Sequence, residues 1–144
     1  MQASVLTALA AGVAIFVMAS TPAFAAIMNF KADLKASSEV PATKSTGTGT
    51  VDANLDTKTM KLTWTVTYSG LTGKAVAAHF HGPAKTGKNA PPVVAIKGGL
   101  ASPIRGSAKL TAKEMKDLES GLWYFNIHTA KNPNGEIRGQ VTKQ

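Results

Sequence analysis

The three histidines of this chain are the residues best suited to chemistry, and they occur in only two short motifs. His79 and His81 lie two positions apart in AAHFHGPA, and His128 lies in WYFNIHTA. Imidazole nitrogens bind zinc and copper, and three protein ligands leave one coordination position open for water or substrate. If the three rings meet at one point, they form an open copper or zinc site. If they do not, His81 caps a turn and His128 anchors the Asn-Pro-Asn-Gly turn, as structural histidines.

Both motifs have the pattern of β-strands, in which side chains alternate between two faces. His79 and His81 therefore share one face of the first strand, and Tyr124, Asn126 and His128 share one face of the second. The opposite faces carry the residues expected in the core: Val76, Ala78, Phe80, Trp123, Phe125 and Ile127. All three imidazoles are thus expected on the side away from the core, and they converge if the two strands are neighbours.

Glu136 and Arg138 in GEIRG are the other polar pair of interest, with Ile137 between them on the opposite face. They could form an ion pair or bind a polar ligand, and a solvated pair at a sheet edge is the simpler expectation. The chain has no cysteine, which excludes thiolate ligands and cysteine nucleophiles. No serine, histidine and carboxylate follow the order of a catalytic triad. We therefore assign no catalytic residue and no cofactor other than the copper or zinc ion.

Short strands recur at regular spacing along the chain, separated by glycine, proline and asparagine. This pattern predicts an all-β fold, an antiparallel β-sandwich or Greek-key barrel of about seven or eight strands. One short helix is predicted near residues 111–120. Thr111 is its expected N-cap, Glu114 completes a capping box, and Gly121 lies where a helix-ending glycine belongs.

The first 25 residues are typical of a secretory signal peptide. They carry no charged side chain, and their apolar run ends in Ser-Thr-Pro-Ala-Phe-Ala. We expect cleavage after Ala25 and a single β domain over residues 26–144, exported to the periplasm or the extracellular space. The basic residue that usually precedes the apolar run is missing, so a retained membrane anchor is the alternative. No second apolar stretch is long enough to span a bilayer.

The net charge of +8 comes from lysines that are scattered along the chain, with only two arginines, Arg105 and Arg138. A nucleic-acid-binding surface would concentrate basic residues on one stripe. We therefore expect no nucleic-acid partner. The lysines instead indicate solubility and weak attraction to anionic surfaces.

Five stretches in order resemble the CHRD domain family, named for the domain repeated in chordin and frequent in exported bacterial proteins. They are SSEVPAT, YSGLTG, AAHFHGPA, PPVVAIKGG and GLWYFNIHTAKNPNGEIRGQV. The resemblance implies an all-β domain without a defined activity. The positions that match the family pattern are His79, His81, Gly82, Pro83, His128, Thr129, Pro133, Gly135, Glu136, Arg138 and Gly139.

Three functions are compatible with these observations. The first is an exported, non-enzymatic binding or structural module that binds copper or zinc through the histidines. The second is a purely structural or protein-interaction domain without metal. The third is a mononuclear metal enzyme, since the scaffold is loosely similar to Cu/Zn superoxide dismutase, although three histidines exclude that enzyme's dinuclear site.

Overall fold

Eight antiparallel strands form one continuous sheet in the computed structural model, which describes residues 24–144. The predicted signal peptide lies outside the described residues, apart from its last two positions. The strands are β1 (Ile27–Lys35), β2 (Thr48–Asp56), β3 (Lys61–Ser69), β4 (Ala75–His81), β5 (Pro92–Ala95), β6 (Ile104–Lys109), β7 (Trp123–Thr129) and β8 (Ile137–Lys143). A single α-helix within the described part of the chain, α1 (Ala112–Glu119), connects β6 to β7.

The sheet has the strand order β5-β4-β7-β8-β1-β2-β3-β6, which leaves β5 and β6 at its two edges. Residues from both edge strands line the same groove, so the sheet curls into a nearly closed barrel. The predicted all-β antiparallel fold of seven or eight strands is therefore confirmed.

The core lies inside this barrel and follows from the alternation of side chains along the strands. In β3, Leu62, Trp64 and Val66 are buried, whereas the intervening threonines are more accessible. β1 and β2 show the same alternation, and they pair without interruption along their whole length. A period of two residues therefore suffices to place these side chains in the interior.

Helix α1 begins and ends as the sequence predicts. The Thr111 side chain accepts a hydrogen bond from the Glu114 backbone N–H, and the Glu114 carboxylate accepts one from the Thr111 N–H. This capping box satisfies two of the donors that the first turn leaves unpaired. Gly121 follows the helix with φ of +70°, a conformation that favours glycine. Leu118 anchors the helix in the core.

The prediction that Val76 faces the core is wrong. The register between β4 and β7 shifts between Ala75 and Ala77, so alternation is interrupted at this point. Val76 is consequently 57% exposed, while Ala78 and Phe80 beyond the irregularity are buried as predicted.

No helix among residues 24–144 is long and apolar enough to cross a membrane.

Candidate metal centre

Strands β4 and β7 are neighbours in the sheet, and this pairing brings the three histidines together. His79 lies opposite Asn126 in the register, and His128 lies opposite Ala77. One ring nitrogen from each of His79, His81 and His128 can be chosen so that the three atoms lie within 4.8 Å of one another. The structure therefore assembles the predicted residues into one cluster on the side of the sheet away from the core.

The closest pair in the cluster already has the spacing of two ligands to one ion. His79 Nδ1 lies 3.1 Å from His128 Nε2. Two nitrogens bound tetrahedrally to zinc at 2.0–2.1 Å would lie about 3.3 Å apart. His128 Nδ1 lies 2.9 Å from the Pro133 carbonyl oxygen, to which it can only donate. That hydrogen bond leaves the lone pair of neutral His128 on Nε2, facing His79, as expected of a metal-ligating histidine.

His81 is held by more contacts than the other two rings. Its Nδ1 lies 2.8 Å from the Ala90 carbonyl oxygen, and its Nε2 lies 3.0 Å from the Asn126 side-chain oxygen. The ring also stacks on Tyr124, with centroids 4.7 Å apart and planes within 4°. Since a neutral imidazole has one N–H, it can donate to only one of the two oxygens. To bind an ion, His81 must give up one of these contacts.

Burial favours the uncharged form of His79 and His81, which is the form that binds metals. Burial lowers the pKa of His79, and the neighbouring His128 and His81 lower it further when they are charged. Burial also lowers the pKa of His81, although its hydrogen bonds to Ala90 and Asn126 oppose the effect. Neutral imidazoles offer their lone pairs without first losing a proton, so these rings are ready to bind a cation near pH 7.

Arg138 supports the cluster from the far side of Tyr124. Its guanidinium carbon lies 3.4 Å from the centre of the Tyr124 ring, so arginine, tyrosine and His81 form a three-layer stack. The guanidinium also donates to the Lys88 carbonyl and, at 2.8 Å, to the Asn89 side-chain oxygen. Arg138 is only 2% exposed. It therefore joins the loop before β5 to the ring on which His81 rests.

The prediction of a solvated Glu136–Arg138 pair is wrong, because both side chains are buried and no ion pair joins them among the described residues. The Glu136 carboxylate instead accepts five hydrogen bonds of 2.5–3.1 Å from three other segments. The donors are the Ser45 hydroxyl, the Thr72 N–H and hydroxyl, the Thr129 hydroxyl and the Asn132 amide. Burial raises the pKa of Glu136, but these hydrogen bonds outweigh it and lower the pKa to about 2.

Glu39 is a further buried acid close to the cluster, and it is not among the site residues predicted from the sequence. Burial raises its pKa to about 7, against the opposing effects of the Arg138 charge and the Asn126 amide. Its Oε1 atom has no hydrogen-bond partner in the described part of the chain. Gly135 leaves room for it, since a Cβ at that position would lie 2.3 Å from Oε1. A single glutamate before Val-Pro has no spacing signal that links it to histidines forty or more residues further along the chain.

An antiparallel barrel with a histidine cluster outside its core defines an all-β domain with a candidate metal centre. The model of the CHRD domain family matches residues 30–141 of the 144-residue chain. The protein therefore belongs to the CHRD domain family, as its motifs indicate. No curated protein and no solved structure shows significant similarity to the chain.

Proposed function

We propose that this protein is an exported, non-enzymatic CHRD-domain module that binds one copper or zinc ion through His79, His81 and His128. The observation that carries the proposal is the cluster of three ring nitrogens within 4.8 Å of one another. An all-nitrogen set of this kind suits zinc and copper better than magnesium or calcium, which prefer oxygen ligands.

Two features of the surroundings support a ligand role. The lowered pKa values of His79 and His81 favour the neutral rings that a metal requires. The hydrogen bond from His128 to the Pro133 carbonyl orients its second nitrogen toward the cluster. A binding role also agrees with membership of a family that is not defined by a catalytic activity.

Metal content and metal titration test the proposal. The protein is purified without chelator, its copper and zinc are measured, and the metal-free form is titrated with Zn(II) and Cu(II) by calorimetry. We expect one equivalent to bind, with affinity reduced at least about tenfold in His79→Ala and His128→Ala because a ligand is lost. Lys131→Ala, an exposed change close to His128 in sequence, is the matched control and should bind as the wild type does.

The proposal fails if neither ion binds, or if both histidine variants bind as tightly as the control. The export part is tested separately by expressing the full chain and fractionating the cells. Export with cleavage predicts a mature protein whose amino terminus is Ala26, outside the cytoplasm. A full-length protein in the membrane fraction would instead support the retained anchor.

A structural role without metal is the second candidate, and the contacts of His81 favour it. Both of its ring nitrogens already have oxygen partners, and it is 8% exposed. In that case His81→Ala destabilises the protein by about 1–3 kcal/mol through the unpaired Asn126 and the lost stacking. The metal ions then leave the melting temperature unchanged.

A further inference from the structure

A groove separates β5 and β6, the two edge strands of the sheet, and no strand among residues 24–144 fills it. We call it the edge groove. It has a volume of about 460 Å³ and is lined by residues 93–95, residues 106–109, Trp64, Lys97 and Glu114. The barrel is therefore open along one line, between two strands that each lack a neighbour on one side.

Both walls of the edge groove present unpaired backbone groups. The Leu110 N–H donates to the Met60 carbonyl, so alternation turns the backbone groups of Lys109 and Ser107 away from β3 and toward the groove. On the other wall the Ile96 N–H donates to the Ala78 carbonyl, which turns the Ala95 backbone groups away from β4. Such exposed donors and acceptors are satisfied when an extended peptide adds as a further strand.

The side chains that line the edge groove favour the same occupant. Val93, Val94 and Ala108 are only partly buried against the core, so an added strand would cover apolar surface. The Trp64 indole packs against Gly106, where a Cβ would lie 2.6 Å from the ring. Gly106 therefore keeps this wall of the edge groove flat over the indole.

The charged side chains of the edge groove indicate which kind of extended partner it would bind. Lys97 and Lys109 line the edge groove, and both are exposed. Glu114 is the only acid in the lining, and its carboxylate is engaged by Thr111 in the capping box. A second copy of this chain would bring its own Lys109 to the same edge, within a molecule of net charge +8. Like charges at a strand edge oppose such pairing.

We propose that the edge groove binds an extended, acidic segment of a partner protein, which adds as a ninth strand between β5 and β6. The proposal does not depend on metal binding by the histidine cluster. Backbone hydrogen bonds to both edges would hold the segment, and Lys97 and Lys109 would select its acidic side chains.

The test uses a fluorescein-labelled peptide of alternating glutamate and valine, with fluorescence anisotropy as the readout. Ser107→Pro removes an N–H that faces the groove without removing a bond to β3, and proline is tolerated at such edge positions. Ser107→Ala keeps the N–H and is the matched control. We expect the peptide to bind the wild type and Ser107→Ala, and to bind Ser107→Pro at least about tenfold more weakly. Lys109→Glu, an exposed change that leaves the backbone intact, should also weaken binding and covers the case that the proline variant does not fold.

Amide shifts in NMR spectra of the wild type should change on β5 and β6 when the peptide is added. A peptide of equal charge in which prolines replace the valines should not bind, because it cannot pair as a strand. Equal binding of the two peptides would indicate general attraction to polyanions and would overturn the proposal. It would equally be overturned by shifts confined to other strands, by full binding to a folded Ser107→Pro, or by self-association through this edge.

Discussion

At the scale of single residues, two buried carboxylates have opposite electrostatic environments. Glu136 accepts five hydrogen bonds and its pKa falls to about 2, whereas the pKa of Glu39 rises to about 7 because burial dominates. The fold therefore stabilises the charged form of Glu136 and the protonated form of Glu39. Its hydrogen bonds connect Glu136 to Ser45, to Thr72 and to Asn132, which lies in the turn that follows His128.

Glu136→Gln should lower the free energy of unfolding by about 2–4 kcal/mol at pH 7. The amide keeps the shape of the side chain but turns an NH₂ group toward donors that need an acceptor. Urea denaturation measures the loss, and Glu119→Gln at the exposed end of α1 is the control. A loss no larger than that of the control would show that the hydrogen bonds of Glu136 contribute little.

The two glutamates should also affect the pH dependence of stability in opposite directions. The contribution of Glu136 is complete above its ordinary pKa of 4.5 and is lost as the pH falls toward 2. The contribution of protonated Glu39 is complete below pH 4.5 and is lost as the pH rises toward 7. Glu39→Gln should therefore stabilise the protein at pH 8 by on the order of 1–3 kcal/mol and have little effect at pH 4. Denaturant midpoints at the two pH values measure the difference, and an equal effect at both would contradict the assignment.

At the scale of the elements, close packing of strands positions the cluster. β7 is buried on both faces, since its outer side lies under the loops that carry Ala90 and Pro133. The neighbouring β8 approaches β1 so closely that a Cβ at Gly139 would lie 2.3 Å from the Asp33 carbonyl oxygen. The Asp33 carbonyl belongs to the backbone and cannot move aside as the end of a flexible side chain can, so position 139 requires glycine.

Gly139→Ala should cost about 3 kcal/mol of unfolding free energy, because the added methyl group forces β8 away from β1. Gly73→Ala is the matched control, since no atom beyond its chain neighbours lies within 4 Å of its Cβ position. Thermal unfolding followed by circular dichroism compares the two. Equal melting temperatures for the two variants would mean that the strands adjust without strain.

At the scale of the whole molecule, the cluster joins strands that are distant in sequence but adjacent in the barrel. His79 and His81 come from β4, and His128 comes from β7. An ion bound to all three would bind the folded barrel and not the unfolded chain. Its binding free energy would then add to the stability of the whole domain.

If the histidine cluster binds zinc as proposed, zinc at 100 times its dissociation constant should raise the free energy of unfolding by about 2.7 kcal/mol. Since burial lowers the pKa values of His79 and His81 from the usual 6.5, the increase should be present at neutral pH and be lost in acid, where protons compete with zinc for the ring nitrogens. Thermal unfolding with and without zinc over this pH range measures it. The increase should be absent in His79→Ala at every pH, and its persistence in that variant would exclude His79 as a ligand.

Local sequence patterns determined much of the secondary structure of this protein and the faces on which its side chains lie. Both depend on interactions between near neighbours along the chain. The alternation in β3, the capping box at Thr111 and the faces of His79, His81 and His128 could all be predicted from residues within one element. The family membership of residues 30–141 rests on motifs of the same local kind. Even here the shift in register before Ala77 escaped prediction, because a bulge depends on the partner strand.

Only the tertiary structure decided what surrounds those elements. The burial of Glu136 and Arg138, the approach of Glu39 to Asn126, the covering of β7 by loops and the open edge between β5 and β6 all join residues that are far apart in sequence. Whether a charged side chain is solvated or buried depends on which segments pack over it, and alternation along one strand does not carry that information. The distances between the three histidines follow the same rule, since the pairing of β4 with β7 sets them.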